Sequence, residues 1–227
     1  MLKDFIALIF PNTCNACGHS LYRNEDCICT RCRYKLPQTN YHLSPSNPVS
    51  KLFWGRVPIN TACAYYNFNK GGSVQRLVHQ LKYRGKQEIG VTIGKFYGSE
   101  LRKSILFRSV NLIMPVPLHS KKLKKRGFNQ SEVFAQGLAR SMDIEFDPGS
   151  LQRIHASETQ TRRSRYERWK NVESIFAIKD RKKLEGKHIL LVDDVVTTGA
   201  TLEACAQELL SIPGTMVSIA AIAYSEV

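Results

Sequence analysis

The stretch ILLVDDVVTTGAT occupies residues 189–201, and it decides the fold expected for the whole chain. Its four leading apolar residues predict a buried strand, after which come Asp193 and Asp194, a turn rich in threonine and glycine, and a helical pattern over 202–210. Open α/β sheets bind ligands at the carboxyl ends of strands, and the N–H groups that begin a helix lack internal partners and bind phosphate. The stretch therefore predicts a site for a phosphorylated sugar, with vicinal hydroxyls facing the acids and a 5′-phosphate against the turn.

Strand and helix patterns alternate along the rest of the chain. Strands are predicted over residues 61–68, 110–114 and 216–224, and helices over 74–81, 89–106 and 133–142. This order predicts an α/β fold with a mainly parallel sheet flanked by helices. No G-x-x-x-x-G-K-[ST] or G-x-G-x-x-G sequence occurs, so neither a P-loop nor a Rossmann dinucleotide site is supported.

Two C-x-x-C pairs near the amino end predict a metal site. Cys14 pairs with Cys17, and Cys29 pairs with Cys32. Four thiolates at this spacing suit tetrahedral Zn²⁺ and leave no open coordination position, so the zinc should be structural. Cys27 competes as a third ligand but lacks the C-x-x-C geometry with Cys32. We therefore divide the chain into a zinc-binding module over residues 1–40, a loosely structured linker over 41–60 and an α/β domain over 61–227.

Composition and charge restrict the compartment and the partners. Seven cysteines without a secretion signal favour a reduced, cytoplasmic protein, and no apolar run is long enough for membrane insertion. The apolar residues 5–10 are interpreted as a packing helix. The net charge of +14 is concentrated in residues 121–126 and 162–165. Such a charge attracts polyanions, which include pyrophosphate, nucleic acid and acidic proteins, although it also suits a solvated surface.

The 189–201 stretch resembles the 5-phosphoribosyl-1-pyrophosphate (PRPP) loop of the type I phosphoribosyltransferases. The resemblance implies that Asp193 and Asp194 hold the ribose hydroxyls and act as the catalytic acids, stabilising positive charge that develops on the ribose. It also implies that the turn binds the 5′-phosphate. The residues implied in that turn are Thr197, Thr198, Gly199, Ala200 and Thr201. Mg²⁺ would accompany PRPP and take few direct protein ligands.

Two further motifs resemble the ComF family, in which a cysteine-rich zinc segment precedes a phosphoribosyltransferase domain. They are MPVPLH at residues 114–119 and KRGFNQ at 125–130, and LKYRG at 81–85 fits the same pattern. The resemblance implies that Pro115 and Val116 lie in a pyrophosphate-binding loop and that Arg126 reaches the pyrophosphate. Asn129 and Gln130 either contact the ligand or cap the next helix. Residues 157–170 match a flexible loop that closes over the site, or else form a disordered connector.

The resemblance leaves two functions open. The first is a phosphoribosyltransferase, a pentosyl-transferring glycosyltransferase that releases pyrophosphate from PRPP. The second is a non-enzymatic PRPP sensor that binds single-stranded DNA and works with DNA-uptake machinery in natural transformation. Aromatic residues next to basic ones, such as Tyr83 beside Lys82 and Arg84, favour the second function because they can stack on bases, yet they equally suit a core. Release of pyrophosphate with a base or amine acceptor would separate the two.

Overall fold

The computed structural model describes residues 12–154 and 175–226. Its strands are β1 (Thr61–Asn67), β2 (Leu112–Pro115), β3 (Glu145–Phe146), β4 (Leu151–Arg153), β5 (Phe176–Ile178), β6 (His188–Val196) and β7 (Met216–Tyr224). Its helices are α1 (Thr30–Lys35), α2 (Pro48–Lys51), α3 (Ser73–Tyr83), α4 (Gln87–Leu101), α5 (Ser120–Arg126), α6 (Gln130–Met142) and α7 (Ala200–Leu210). Short 3₁₀ turns lie at Tyr41–Leu43, Ile105–Phe107 and Lys182–Leu184. The predicted helix over 5–10 and the predicted loop over 157–170 lie outside the described residues.

Five strands form one parallel sheet in the order β1-β7-β6-β2-β3, and β4 and β5 form a separate antiparallel pair. From β2 the chain moves outward to β3, whereas from β6 it moves the opposite way to β7. The switch in direction therefore lies between β6 and β2. In open α/β sheets the crevice at such a switch point is where ligands bind.

The central strands are buried on both faces, which explains their continuous apolar runs. Residues Ile189–Val192 of β6 have no exposed surface. One face of the sheet packs against α3, α4 and α6, and the other packs against α2 and α7. The predicted parallel α/β fold is confirmed.

Strand β6 continues further than its apolar run suggests. The ladder with β7 extends to Val196 opposite Tyr224, so the two acids lie inside the strand and not after it. On the other side, the ladder with β2 ends where Pro115 faces Val192. The acids are therefore the first residues of β6 beyond the end of β2, and no strand of the described residues covers them on that side.

Helices α4 and α6 touch through glycines. Gly90, Gly94 and Gly98 recur every fourth residue, so they share one face of α4. A Cβ atom on Gly94 would lie 2.4 Å from the carbonyl oxygen of Phe134, and one on Gly137 would lie 2.3 Å from that of Val91. The two backbones are thus in direct contact, and this contact sets the position of α6 over the sheet.

Residues 41–60 are not loosely structured, and that part of the linker prediction is wrong. Val49 and Phe53 have no exposed surface, and Asn47 caps α2 by accepting from Val49 N and Ser50 N. The Asn47 side chain also donates to the Ala62 carbonyl at 2.9 Å, which ties the segment to β1. Polar residues that look like a linker in sequence here satisfy buried backbone groups. The domain boundaries at 40 and 60 stay a prediction.

Within the described ranges 12–154 and 175–226, no helix is both long and apolar enough to cross a membrane.

Candidate functional site

The two acids at the switch point have different partners. Asp193 accepts hydrogen bonds from Ser131 Oγ and from Asp194 N, each at 2.8 Å. Asp194 forms an ion pair with Lys82, whose Nζ lies 3.0 Å from Oδ2. Ser131 stands in the first turn of α6 and Lys82 in the last turn of α3, so two helices from the same face of the sheet hold the acid pair.

The environment of Asp193 favours its neutral form. Burial, and then the negative charge of Asp194, raise the pKa of Asp193 to about 7, although the bonds from Ser131 and Asp194 N and the charge of Lys82 oppose the rise. Two adjacent carboxylates with unlike surroundings are a common arrangement at functional sites.

The turn after β6 has the form of an anion site. Gly199 adopts φ 76° and precedes α7, and no side chain caps the helix. The first intrahelical bond runs from Glu203 N to Gly199 O, so the N–H groups of residues 200–202 have no helical acceptor. Thr197, Thr198, Ala200 and Thr201 are exposed, and Asp193 and residues 195–202 line a cavity of about 50 Å³. Asp193 and the predicted turn residues therefore line one cleft, and Asp194 adjoins it in the chain.

A segment that the sequence did not single out supports this turn from beneath. The Phe53 ring lies where a Cβ on Gly199 would be 3.0 Å from two of its carbons. The Arg56 guanidinium donates to the carbonyls of Thr198 and Leu52, each at 3.0 Å, and forms an ion pair with Glu203. No motif marks these residues, because each acts through a contact with residues far away in the chain.

The loop after β2 lies beside the acids. Val116 N donates to Val192 O at 2.9 Å, which places Pro115 and Val116 next to the end of the apolar part of β6. Asn129 caps α6 by accepting from Ser131 N, and its Nδ2 donates to Val116 O at 2.9 Å. Of the two roles considered for Asn129, the structure supports the cap. The cap also joins this loop to the helix that carries Ser131.

Arg126 ends the basic helix α5. It donates to the Gln130 side chain, and its guanidinium lies 5.5 Å from the centre of the Tyr83 ring. Tyr83 is 60% exposed and follows Lys82 directly. Arg126 is therefore on the same side as the acid pair, held by contacts with two neighbouring helices.

A cavity of about 380 Å³ opens next to the acid pair. Phe68, Val78 and Val195 form apolar parts of its wall, and His79 and Lys82 add polar groups. The His79 and Tyr83 rings lie 4.9 Å apart. A second group bound beside a ribose at the acids would have room here.

Four thiols form a metal-binding cluster at the amino end. The Sγ atoms of Cys14, Cys17, Cys29 and Cys32 all lie within 4.8 Å of one another. A tetrahedral zinc with Zn–S bonds of about 2.3 Å requires S···S separations of about 3.8 Å, and Cys17 and Cys29 lie 3.8 Å apart. The predicted set of four could therefore hold zinc. Cys27 is not part of the cluster and accepts from Asn15 Nδ2.

Local backbone geometry prepares the four thiols. The first pair sits on a knuckle in which Gly18 adopts φ 82° and its N–H donates to Cys14 O, while the second pair begins α1 with Cys29 as its cap. The Cys14 sulfur accepts from Ala16 N and Cys29 N. Burial raises the pKa of the Cys14 thiol, but backbone donors outweigh it and bring that pKa to about 7.

Cys29 and Cys32 resist ionisation. Burial and the neighbouring thiols raise the pKa values of Cys29 and Cys32. A divalent cation removes the repulsion between neighbouring thiolates, because it replaces the thiol protons and offsets the negative charge.

The four-cysteine cluster is attached to the α/β part of the chain. Arg76 of α3 donates to Ala16 O at 2.8 Å, and Gln80 of the same helix donates to Asn15 O. The knuckle therefore contacts the helix whose last turn carries Lys82.

Comparisons with known proteins agree with this geometry. Residues 129–226 match the family described as "Phosphoribosyl transferase domain". The chain is 30% identical over 208 residues to DNA utilization protein YhgH of Salmonella typhimurium, covering 90% of this chain and 87% of that protein. It is 28% identical over 204 residues to competence protein ComFC of Bacillus subtilis, covering 84% and 80% of the two chains.

A solved structure of the allosteric regulatory enzyme of purine biosynthesis aligns with a TM-score of 0.43 at 18% identity, over 62% of this chain and 29% of that one. An alignment at this level adds nothing to the assignment. The parallel sheet, its switch point and the matched domain define the protein as one with a type I phosphoribosyltransferase fold. The two full-length relatives narrow this class, and the chain belongs to the ComF family.

Proposed function

We propose that this protein binds PRPP and transfers its phosphoribosyl group with release of pyrophosphate. The observation that carries the proposal is that Asp193, one of two adjacent acids at the switch point, lines the same cleft as the start of α7. These groups match the two ends of a ribose 5-phosphate. The neighbouring loop at Pro115 and Val116 and the basic end of α5 offer a place for the pyrophosphate.

In this proposal each group has a distinct role. Asp193 and Asp194 accept the ribose hydroxyls and stabilise positive charge on the ribose as the bond from C1 to pyrophosphate breaks. The N–H groups of residues 200–202, with Thr197, Thr198 and Thr201, bind the 5′-phosphate, and the Ala200 N–H exchanges its long bond to Thr198 Oγ1 for the ligand. Lys82 already pairs with Asp194, so it lies within reach of an anionic group on a bound ligand. Arg126 contributes charge-assisted bonds to the pyrophosphate.

Mg²⁺ would enter bound to PRPP. We assign it chiefly to ligand oxygens and water, because Mg²⁺ keeps several waters and is usually bound through substrate phosphates with few protein ligands. When bound it would neutralise the pyrophosphate. We assign the four cysteines to one structural zinc and place the protein in the cytoplasm, where thiols stay reduced.

Calorimetry with Mg²⁺-PRPP tests the binding site. Asp194→Asn should weaken binding by about tenfold to a hundredfold, because a charge-assisted hydrogen bond contributes about 1.5–3 kcal/mol. The exposed Asp180→Asn is the matched control, and it should bind as the wild type does. Equal affinity in wild type and Asp194→Asn would contradict the site. Pyrophosphate release with a panel of nucleobases and amines then tests turnover.

A second function is supported by the names of the relatives, which concern DNA utilization and competence. In this alternative the protein senses PRPP without turnover, binds single-stranded DNA and acts with DNA-uptake proteins. Helix α5 carries four lysines and Arg126 on one short element beside the PRPP cleft. The other basic cluster, at residues 162–165, lies outside the described residues.

Titration with a fluorescent single-stranded oligonucleotide tests this alternative. Replacing Lys121, Lys122, Lys124 and Lys125 with glutamine should weaken binding and reduce its salt dependence, because fewer counterions are released. PRPP should compete, since both are polyanions. The matched control replaces the same number of lysines elsewhere, at Lys51, Lys70, Lys95 and Lys103. An equal loss in both variants would show attraction by net charge alone.

A further inference from the structure

Arg56 links three parts of the molecule at the turn formed by residues 197–201, which we call the phosphate turn. Its Nη1 donates to Leu52 O and Thr198 O, each at 3.0 Å, and its Nη2 pairs with Glu203. Leu52 follows α2, Thr198 lies in the turn, and Glu203 lies in the first turn of α7. A planar guanidinium has five donors in a fixed fork, so it can serve all three acceptors in set directions.

Glu203 alone would oppose a phosphate at this turn. An acid in the first turn normally stabilises a helix because it offsets the positive end of the dipole. Here the same helix end must attract a phosphate, which competes for the same partial charge. Glu203 is 19% exposed, so water screens its charge only in part. Its carboxylate would therefore lower the affinity of the turn for an anion unless a cation neutralises it.

We propose that Arg56 is a positioning residue for the 5′-phosphate site: it neutralises Glu203 and holds the Thr198 carbonyl away from the ligand. The bond to Thr198 O matters because a peptide whose carbonyl points to the guanidinium directs its oxygen away from the cleft. This inference rests on the proposed PRPP function. It adds the residues 47–57, placed by sequence in a linker, to the machinery of the site.

Buried contacts hold the segment of residues 47–57 in place. Phe53 is fully buried against Gly199, and Ser50 Oγ donates to Ala62 O at 2.9 Å. Arg56 therefore projects from a short element that is fixed to both β1 and the phosphate turn. Because the backbone at Arg56 is already held in place and the guanidinium fork is planar, little entropy is lost for each hydrogen bond that Arg56 makes.

The test is a double-mutant cycle with ribose 5-phosphate as the probe, measured by calorimetry on the full chain. Arg56→Gln should weaken binding about tenfold, the change expected when one charge at a helix terminus is left unneutralised. Glu203→Gln should bind at least as tightly as the wild type. The double variant should return to within about threefold of the wild type, because the uncompensated carboxylate is gone. A merely structural role for Arg56 would not be rescued by removing a second partner.

Three results would overturn the inference. They are unchanged binding in Arg56→Gln, a double variant as weak as Arg56→Gln, and weaker binding in Glu203→Gln alone. The last outcome decides the question even if Arg56→Gln does not fold. A wild-type protein that binds neither ribose 5-phosphate nor Mg²⁺-PRPP would overturn the proposed function together with this inference. If the wild type binds and any of the three results above is found, the inference is overturned and the proposed function is not.

Discussion

Replacing Asp193 with asparagine should make the protein more stable above neutral pH. Burial and the nearby Asp194 raise the pKa of Asp193 from 3.8 to about 7, so the folded protein holds this proton more tightly than the unfolded chain does. The protonated Asp193 side chain contributes its full stability below the pKa of the unfolded state. That contribution is lost as the pH rises through the pKa of the folded state. Asparagine never ionises, and its Oδ1 can still accept from Ser131 and Asp194 N.

The size of the effect follows from the two pKa values. A difference of about three units corresponds to about 4 kcal/mol, since each unit represents about 1.4 kcal/mol. The acid pair is coupled and partly open to water, so we expect a gain of about 2–4 kcal/mol for Asp193→Asn above pH ~7 and roughly half of it near pH ~5.5. The same variant should lose affinity for Mg²⁺-PRPP. A binding group would then be retained at the expense of stability.

Urea unfolding of wild type and Asp193→Asn at about pH 5.5 and about pH 8 measures both numbers. Asp143→Asn is the matched control, because Asp143 is exposed and its φ of 60° suits asparagine. The control should change stability little and equally at both pH values. The reasoning is refuted if Asp193→Asn is no more stable than the wild type at the higher pH, or if its gain is the same at both.

Further outcomes are expected for three glycines and for the four cysteines. Gly199→Ala should lose about 2–3 kcal/mol in urea unfolding and also weaken PRPP binding, because it combines a positive φ with a contact at 3.0 Å. Gly186→Ala, with a φ of 67° and open space around its Cβ, should lose only about 1 kcal/mol and leave binding unchanged. Gly94→Ala should lose about 3 kcal/mol or more, since a backbone oxygen would lie 2.4 Å from the new atom. Elemental analysis should find one zinc per chain, lost in Cys29→Ser and kept in Cys27→Ser; zinc retention in the former would contradict the four-cysteine site.

The local patterns of the sequence predict four of the five strands of the parallel sheet and most of the cleft, whereas the two-residue β3 is too short to leave a pattern. Continuous apolar runs mark buried parallel strands, and β7 begins and ends where the pattern predicts. The spacing of four cysteines and the order of acids, turn and helix are also local, so short windows of sequence predict both features.

The residues that sequence reasoning misses act over long distances in the chain. Ser131 bonds to Asp193, and Arg56 bonds to Thr198, across separations that no window of sequence covers. Composition misleads for residues 41–60 because Pro, Ser and Asn are typical of loops and also of helix caps. Asn47 and Ser50 use their polar groups for buried bonds, and composition alone does not separate these two uses.

The glycine contact between α4 and α6 has a consequence for how the protein folds. Each interior glycine disfavours an isolated helix by about 1 kcal/mol relative to alanine, so three of them leave α4 with little helicity alone. During synthesis α4 leaves the ribosome before α6, and its apolar residues must wait for a partner. We therefore expect α4 to become stably helical only once α6 is available to pack against it. Ser131 stands at the start of α6, so the same helix pair also sets the position of the hydrogen bond to Asp193.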